Sequence, residues 1–145
     1  MGHPPRIPVW LTSGQGIIYF LTFCVAGRQK VLANEASFAA LKSAVVRAGN
    51  KWVVIAAILM PDHVHLLIAP TERDAALGNA SAAIKRWMRQ ELKAAWQWQP
   101  GSFDRLLRSD ESAEEKWQYI RENPVRAGLV TRWEDWPFRL GFDLL

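Results

Sequence analysis

Two histidines one residue apart, His63 and His65 in the stretch MPDHVHLLIAP, are the side chains here best suited to chemistry. The third histidine, His3, lies in a Pro/Gly-rich start, and residues 1–15 are expected to be poorly ordered. Side chains alternate across a strand, so His63, His65, Leu67 and Ala69 share one face and Val64, Leu66 and Ile68 the other. The second set is wholly apolar and belongs under helices. That leaves the imidazoles side by side on an open face, where their nitrogens could meet one divalent ion. The plainer reading, two half-exposed strand residues beside a turn, fits the spacing at least as well, because His-x-His pairs arise by chance.

Two imidazoles do not complete a metal site. The chain has a single cysteine, Cys24, so further ligands would be carboxylate, amide, water or substrate oxygen. Such a mixed nitrogen and oxygen set, with open positions, suits Mg²⁺ or Mn²⁺ acting on a phosphate better than a closed structural zinc. Asp62 is adjacent, but its turn position favours an Asx-turn over ligation. Of the two tyrosines, Tyr19 falls in an aromatic run that reads as core. Tyr119, in KWQYIRENPVRAGLV, lies off the helical stripe of Ala113, Trp117 and Ile120, on the side of Glu115, Glu122 and Asn123.

A tyrosine hydroxyl is a weak nucleophile at neutral pH, and a metal-polarised phosphate with cations such as Lys116 nearby would help it. Asn123, one turn after Tyr119, could offer a carbonyl oxygen to the same ion. Pro124 disfavours helical geometry at Asn123 and is expected to end the helix there. Taken alone, Tyr119 fits a half-buried side chain at a helix end better than a nucleophile.

The elements that would position these residues read in order. GIIYFLTFCV is a buried strand rich in β-branched and aromatic residues. NEASFAALKSAVVRAGN is a helix with Phe38, Leu41, Val45 and Val46 inward and Gly49-Asn50 as its stop. KWVVIAAILM and HVHLLIA are strands joined so tightly that they form an antiparallel hairpin. A long helix follows from about Asp74 to Trp96, its inward stripe Ile84, Trp87, Met88, Leu92 and Ala95. WQWQPGSFDRLLR reads as irregular or edge strand. In the last helix Ser112 and Glu115 match a capping box and Pro124 is the stop. The sum is an α+β, ferredoxin-like βαββαβ core plus a C-terminal helix, with two helices on one face of an antiparallel sheet.

The 145 residues suffice for one domain, with 137–145 as a short tail. No apolar run approaches the roughly 18 residues of a membrane helix. The start lacks the layout of a secretory signal and one cysteine excludes an internal disulfide, so a cytoplasmic location is expected. Eighteen Lys and Arg against fourteen acids give +4 and a pI near 9.6, a mild excess. The eight tryptophans are a heavier signal: aromatic rings beside arginine suit stacking on unpaired bases, although most buried tryptophans fill core.

In this ordered set MPDHVHLLIAP resembles the HUH motif (His, hydrophobic, His) of single-tyrosine transposases, and WQYIRENPVRAGLV resembles their tyrosine-bearing helix. YFLTF, GRQKVL and FDRLLRSDE resemble segments of one branch, the REP-associated tyrosine transposases, so the similarity runs from about Tyr19 to Trp136. The resemblance implies a nuclease and strand transferase on single-stranded, hairpin-forming DNA. Tyr119 would attack a backbone phosphate to give a 5′-phosphotyrosine, and His63, His65 and Asn123 would hold Mg²⁺ or Mn²⁺. Lys85, Arg86, Arg89, Lys93, Arg126 and Arg132 are candidate DNA contacts, and the expected protein is a nucleoid-associated monomer or homodimer. Where many relatives have Phe-Asp-His, this chain has Phe103-Asp104-Arg105. Two other classes remain open: a non-catalytic binder of hairpin DNA or RNA, and a small His-metal hydrolase, which would need more ligands than this chain supplies.

Overall fold

The computed structural model describes residues 18–49, 51–71, 77–107 and 110–142, so the expected frayed start lies outside the described residues. The elements are β1 (Ile18–Cys24), α1 (Glu35–Ala48), β2 (Trp52–Leu59), β3 (His63–Pro70), α2 (Leu77–Leu92), β4 (Phe103–Leu107), α3 (Asp110–Arg121), α4 (Asn123–Arg126) and β5 (Arg139–Leu140). The strands form one antiparallel sheet in the order β4-β1-β3-β2-β5. The first four strands have the expected βαββαβ arrangement.

Alternation divides this sheet into two apolar faces. Leu21, Phe23, Val64, Leu66 and Ile68 pack with Ala40, Leu41 and Ala44 of α1 and Ile84 and Met88 of α2. Asn34 starts α1 by accepting the Ser37 backbone N–H at 2.8 Å. The buried side of that helix is Ser37, Ala40, Leu41, Ala44 and Ala48, all but Leu41 small residues that let it lie close to its neighbours. Val46, expected inward, is 79% exposed because it falls opposite this stripe.

The other face is not open, as the sequence reading expected. Ile18, Ile58, Leu67 and Ala69 carry a second core completed by Ala113, Trp117 and Ile120 of α3 with Trp136 and Phe142. Helices therefore lie on both faces. Residues 137–142 are not a tail: they supply β5 beside β2 and the fully buried Phe142. Gly141 makes this possible. Its φ is +85°, and a Cβ there would lie 2.2 Å from the Ile55 carbonyl oxygen, at the irregularity in β2.

Two helix boundaries also differ from the sequence reading. Helix α3 begins at Asp110, so Ser112 sits within its first turn and is not its cap. The chain does not turn extended at Asn123; Pro124 sits in the first turn of α4, where its missing N–H costs nothing. Helix α2 ends at Leu92, earlier than Trp96. Lys93 has left-handed φ +48°, and Arg89 donates to the carbonyls of Ala94 and Trp96. No helix among the described residues is long and apolar enough to cross a membrane.

Candidate active site

Strand β3 presents His63 and His65 on the face that carries the second core, at the end nearest the β2–β3 turn. Their ring centroids are 4.7 Å apart with planes at 77°. Each ring is held through Nδ1. His63 Nδ1–H donates to Asp62 Oδ1 at 2.7 Å, and His65 Nδ1 lies 2.8 Å from Thr22 Oγ1. Both Nε2 atoms are thereby left for a further partner, an arrangement in which the outer hydrogen bond sets tautomer and ring orientation.

Asp62 is thus not idle in its turn. Its Oδ2 accepts from Arg28 Nε at 2.8 Å. The turn is fixed by Val25 N–H on the Asp62 carbonyl and Leu32 N–H on that of Pro61. Burial alone would raise the Asp62 pKa, but hydrogen bonds and charge from Arg28 and His63 outweigh it and hold the carboxyl below its ordinary range. Burial pushes His63 down despite Asp62. His65 is pushed down to about 3, first by burial and then by His63, Arg126, Lys116 and Arg28. Both imidazoles are therefore neutral at pH 7 and able to donate lone pairs.

The distant partner is Asn123. Its Nδ2 lies 3.5 Å from His63 Nε2, bridging 60 residues of sequence. Tyr119 stands one turn earlier at 47% exposure. The Arg126 guanidinium packs 3.9 Å from the Tyr119 ring centroid and donates to the Tyr119 backbone carbonyl, while Lys116 Nζ lies 4.9 Å from the same ring. Lys116 also sits 5.0 Å from the ring of Phe20, which stacks on His65 at 5.2 Å. Beside Tyr119 is an open groove of about 530 Å³ lined by Arg105, Leu107, Ser112, Glu115 and Lys116. Among the described residues no group of three or more His, Cys, Asp and Glu side chains gathers, so any ion at the histidines would need amide or external oxygen.

The other expected contacts scatter. Helix α2 lies on the opposite face of the sheet from the histidines. Lys85 donates to the carbonyls of Gln99 and Gly101, and Arg89 caps its own helix, so both are occupied by the fold. Arg86 borders a groove of about 500 Å³ with Arg47, Lys51, Trp52 and Trp87. Lys93 borders a separate groove of about 370 Å³, shared with Arg86 and Trp98. Arg132 makes an exposed 3.6 Å ion pair with Glu134. Arg126 alone of the six reaches Tyr119. Sequence reasoning missed Thr22, Phe20 and Arg28. Thr22 was findable in part, because alternation puts it on the same side of β1 as Ile18 and Phe20.

No family model matches the chain. A Haemophilus influenzae protein provisionally described as a REP-associated tyrosine transposase is 26% identical, across 86% of this chain and 79% of that protein. The REP-associated tyrosine transposase of Escherichia coli K12 is 25% identical, across 86% and 76%. Among solved structures, a REP-associated tyrosine transposase bound to a REP hairpin matches with a TM-score of 0.77 at 23% identity, covering 96% of this chain and 82% of that one. The chain is thus similar to REP-associated tyrosine transposases in sequence over most of its length and shares their fold over nearly all of it.

Proposed function

We propose that this chain is a metal-dependent endonuclease and strand transferase for single-stranded DNA that carries a hairpin, with Tyr119 as nucleophile. The observation that carries the reading is the meeting of Asn123 with His63 Nε2 at 3.5 Å, one turn beyond an exposed tyrosine. The hairpin substrate is taken over from the similar solved protein, which is bound to one.

The residues fit a divalent ion. Two neutral imidazoles have their Nδ1 atoms tied and their Nε2 atoms available, and a carboxamide that can turn its oxygen lies beside one of them. When bound, Mg²⁺ or Mn²⁺ supplies charge neutralisation at the non-bridging phosphate oxygens. Arg126 and Lys116 lie 3.9 and 4.9 Å from the Tyr119 ring centroid, positive charge that would stabilise a phosphate attacked by its hydroxyl. Tyr119 Oη bonds to phosphorus as the bond to the 3′ oxygen breaks, and the phenol proton passes to that oxygen. The products are a 5′-phosphotyrosine and a free 3′-hydroxyl. The number of phosphoester bonds is unchanged, so a hydroxyl from another strand can reverse the step without ATP.

Cleavage of end-labelled hairpins with single-stranded flanks tests this. Wild type with Mn²⁺ is expected to release a fragment ending in a 3′-hydroxyl, with no release by Tyr119→Phe or without metal, and a loss of at least a hundredfold in His63→Ala, on the scale of removing a group that acts in the transition state. Salt-sensitive binding without cleavage across a panel of hairpins, unchanged by these substitutions, would instead identify a hairpin binder without chemistry.

A further inference from the structure

Of the large apolar side chains exposed among the described residues, only Phe103 and Tyr119 are aromatic, and Phe103 is 72% exposed. Its position in the sheet gives that exposure a direction. On β1 Thr22 is the register partner of Phe103 on one side and of His65 on the other. Directly paired residues of antiparallel strands point to the same face. The Thr22 hydroxyl meets His65, and Leu107, further along β4, belongs to the core on that same face. Phe103 therefore projects on the side of the histidines, two inter-strand spacings or roughly 10 Å from His65.

The next row of the face is Arg105, Phe20 and Leu67. Arg105 lines the groove beside Tyr119 together with Lys116, and Phe20 lies between Lys116 and His65. An exposed aromatic ring thus stands at the sheet edge one row from Arg105, which shares a groove with Lys116 and Tyr119. Aromatic rings interleaved with cations are what an unpaired strand needs, since every base has a π-face and every nucleotide a phosphate.

We propose that Phe103 is a stacking platform for an unpaired base of the strand cut at Tyr119, with Arg105 and Lys116 against the intervening backbone. This rests on the strand-cleavage reading above and extends it to a subsite. The base is one that neighbours the scissile phosphate in the single-stranded flank, not one in the hairpin stem.

Fluorescence anisotropy with a labelled hairpin bearing a single-stranded flank, alongside the same hairpin without a flank, tests the subsite at fixed salt. Phe103→Ala is expected to weaken binding of the flanked DNA about tenfold or more, Phe103→Trp to restore it, and neither to alter binding of the flankless hairpin. An abasic nucleotide placed along the flank should weaken wild type at one position, and Phe103→Ala should be insensitive there. The proposal is overturned if Phe103→Ala matches wild type on flanked DNA. A change in sedimentation with flank affinity unchanged would likewise overturn it and assign the ring to contact with a second copy. Wild type that neither binds nor cuts the flanked DNA removes the parent reading itself, which the flankless control and the cleavage assay identify separately. Circular dichroism of each variant confirms folding.

Discussion

At the residue scale the site is a pair of imidazoles whose chemistry is set by what holds their far nitrogens. Asp62 and Thr22 fix His63 and His65 through Nδ1 and leave both Nε2 atoms available. Outer partners of this kind are commonly worth ten- to a hundredfold in metal affinity. Asp62→Asn and Thr22→Val are accordingly expected to weaken Mn²⁺ binding by about that factor, read by titration calorimetry on the DNA-free protein. Unchanged affinity in both would remove them from the site. The His pair and its shared face were legible from alternation alone. The role of Asp62 was not, because a turn aspartate reads locally as an Asx-turn, whereas its partner Arg28 lies 34 residues away. The face of Thr22 followed from alternation, but its meeting with His65 did not, because the ring lies 43 residues away.

At the element scale the tyrosine helix is fixed by the segment after it. Arg121 is buried with its guanidinium 5.0 Å from the Trp117 ring and 4.7 Å from that of Trp133, and Arg139 lies 5.4 Å from Trp133. Gly141 then lets β5 run against β2 and seats Phe142 in the core. Gly141→Ala is expected to destabilise the fold by roughly 2–4 kcal/mol, from a left-handed backbone position and a clash with the Ile55 carbonyl together. Urea unfolding would measure it, and a change under about 0.5 kcal/mol, ordinary for an innocuous surface substitution, would contradict that packing. Arg121 Nε and Nη1 lack hydrogen-bond partners among the described residues. Its charge is met only by a 3.5 Å ion pair with the partly exposed Glu122 and by the two ring faces. A buried ion so placed is often replaceable by an apolar side chain, so Arg121→Met is expected to unfold at an equal or higher urea midpoint. The major elements were legible because each carries its own period. The two-residue β5 was not, since so short a strand has no period and exists only through its partner.

At the scale of the whole molecule, burying two neutral histidines between sheet and helix makes stability depend on acid. Below about pH 6.5 the unfolded chain takes up a proton that folded His65, at about 3, refuses, and His63 acts in the same direction. Stability is therefore expected to fall steadily from pH 6.5 towards 3. Asp62 adds to the loss only at the acid end, as pH falls through its lowered folded value. Thermal midpoints across this range should show a shallower decline for His65→Gln than for wild type. An identical slope would contradict the burial of a neutral ring. The βαββαβ order was readable from pattern, but the closed second face was not, because it depends on Trp117, Trp136 and Phe142 converging from separate segments. That convergence also seats the helix that carries Tyr119, one turn before Asn123, which reaches His63. The most direct test of the joint site is mass spectrometry of the Tyr119 peptide after incubation with a flanked hairpin and Mn²⁺. A nucleotide covalently attached to Tyr119, absent when His63 and His65 are both alanine, is the predicted result. An adduct on another residue, or DNA cleaved with Tyr119 left unmodified throughout, would contradict it.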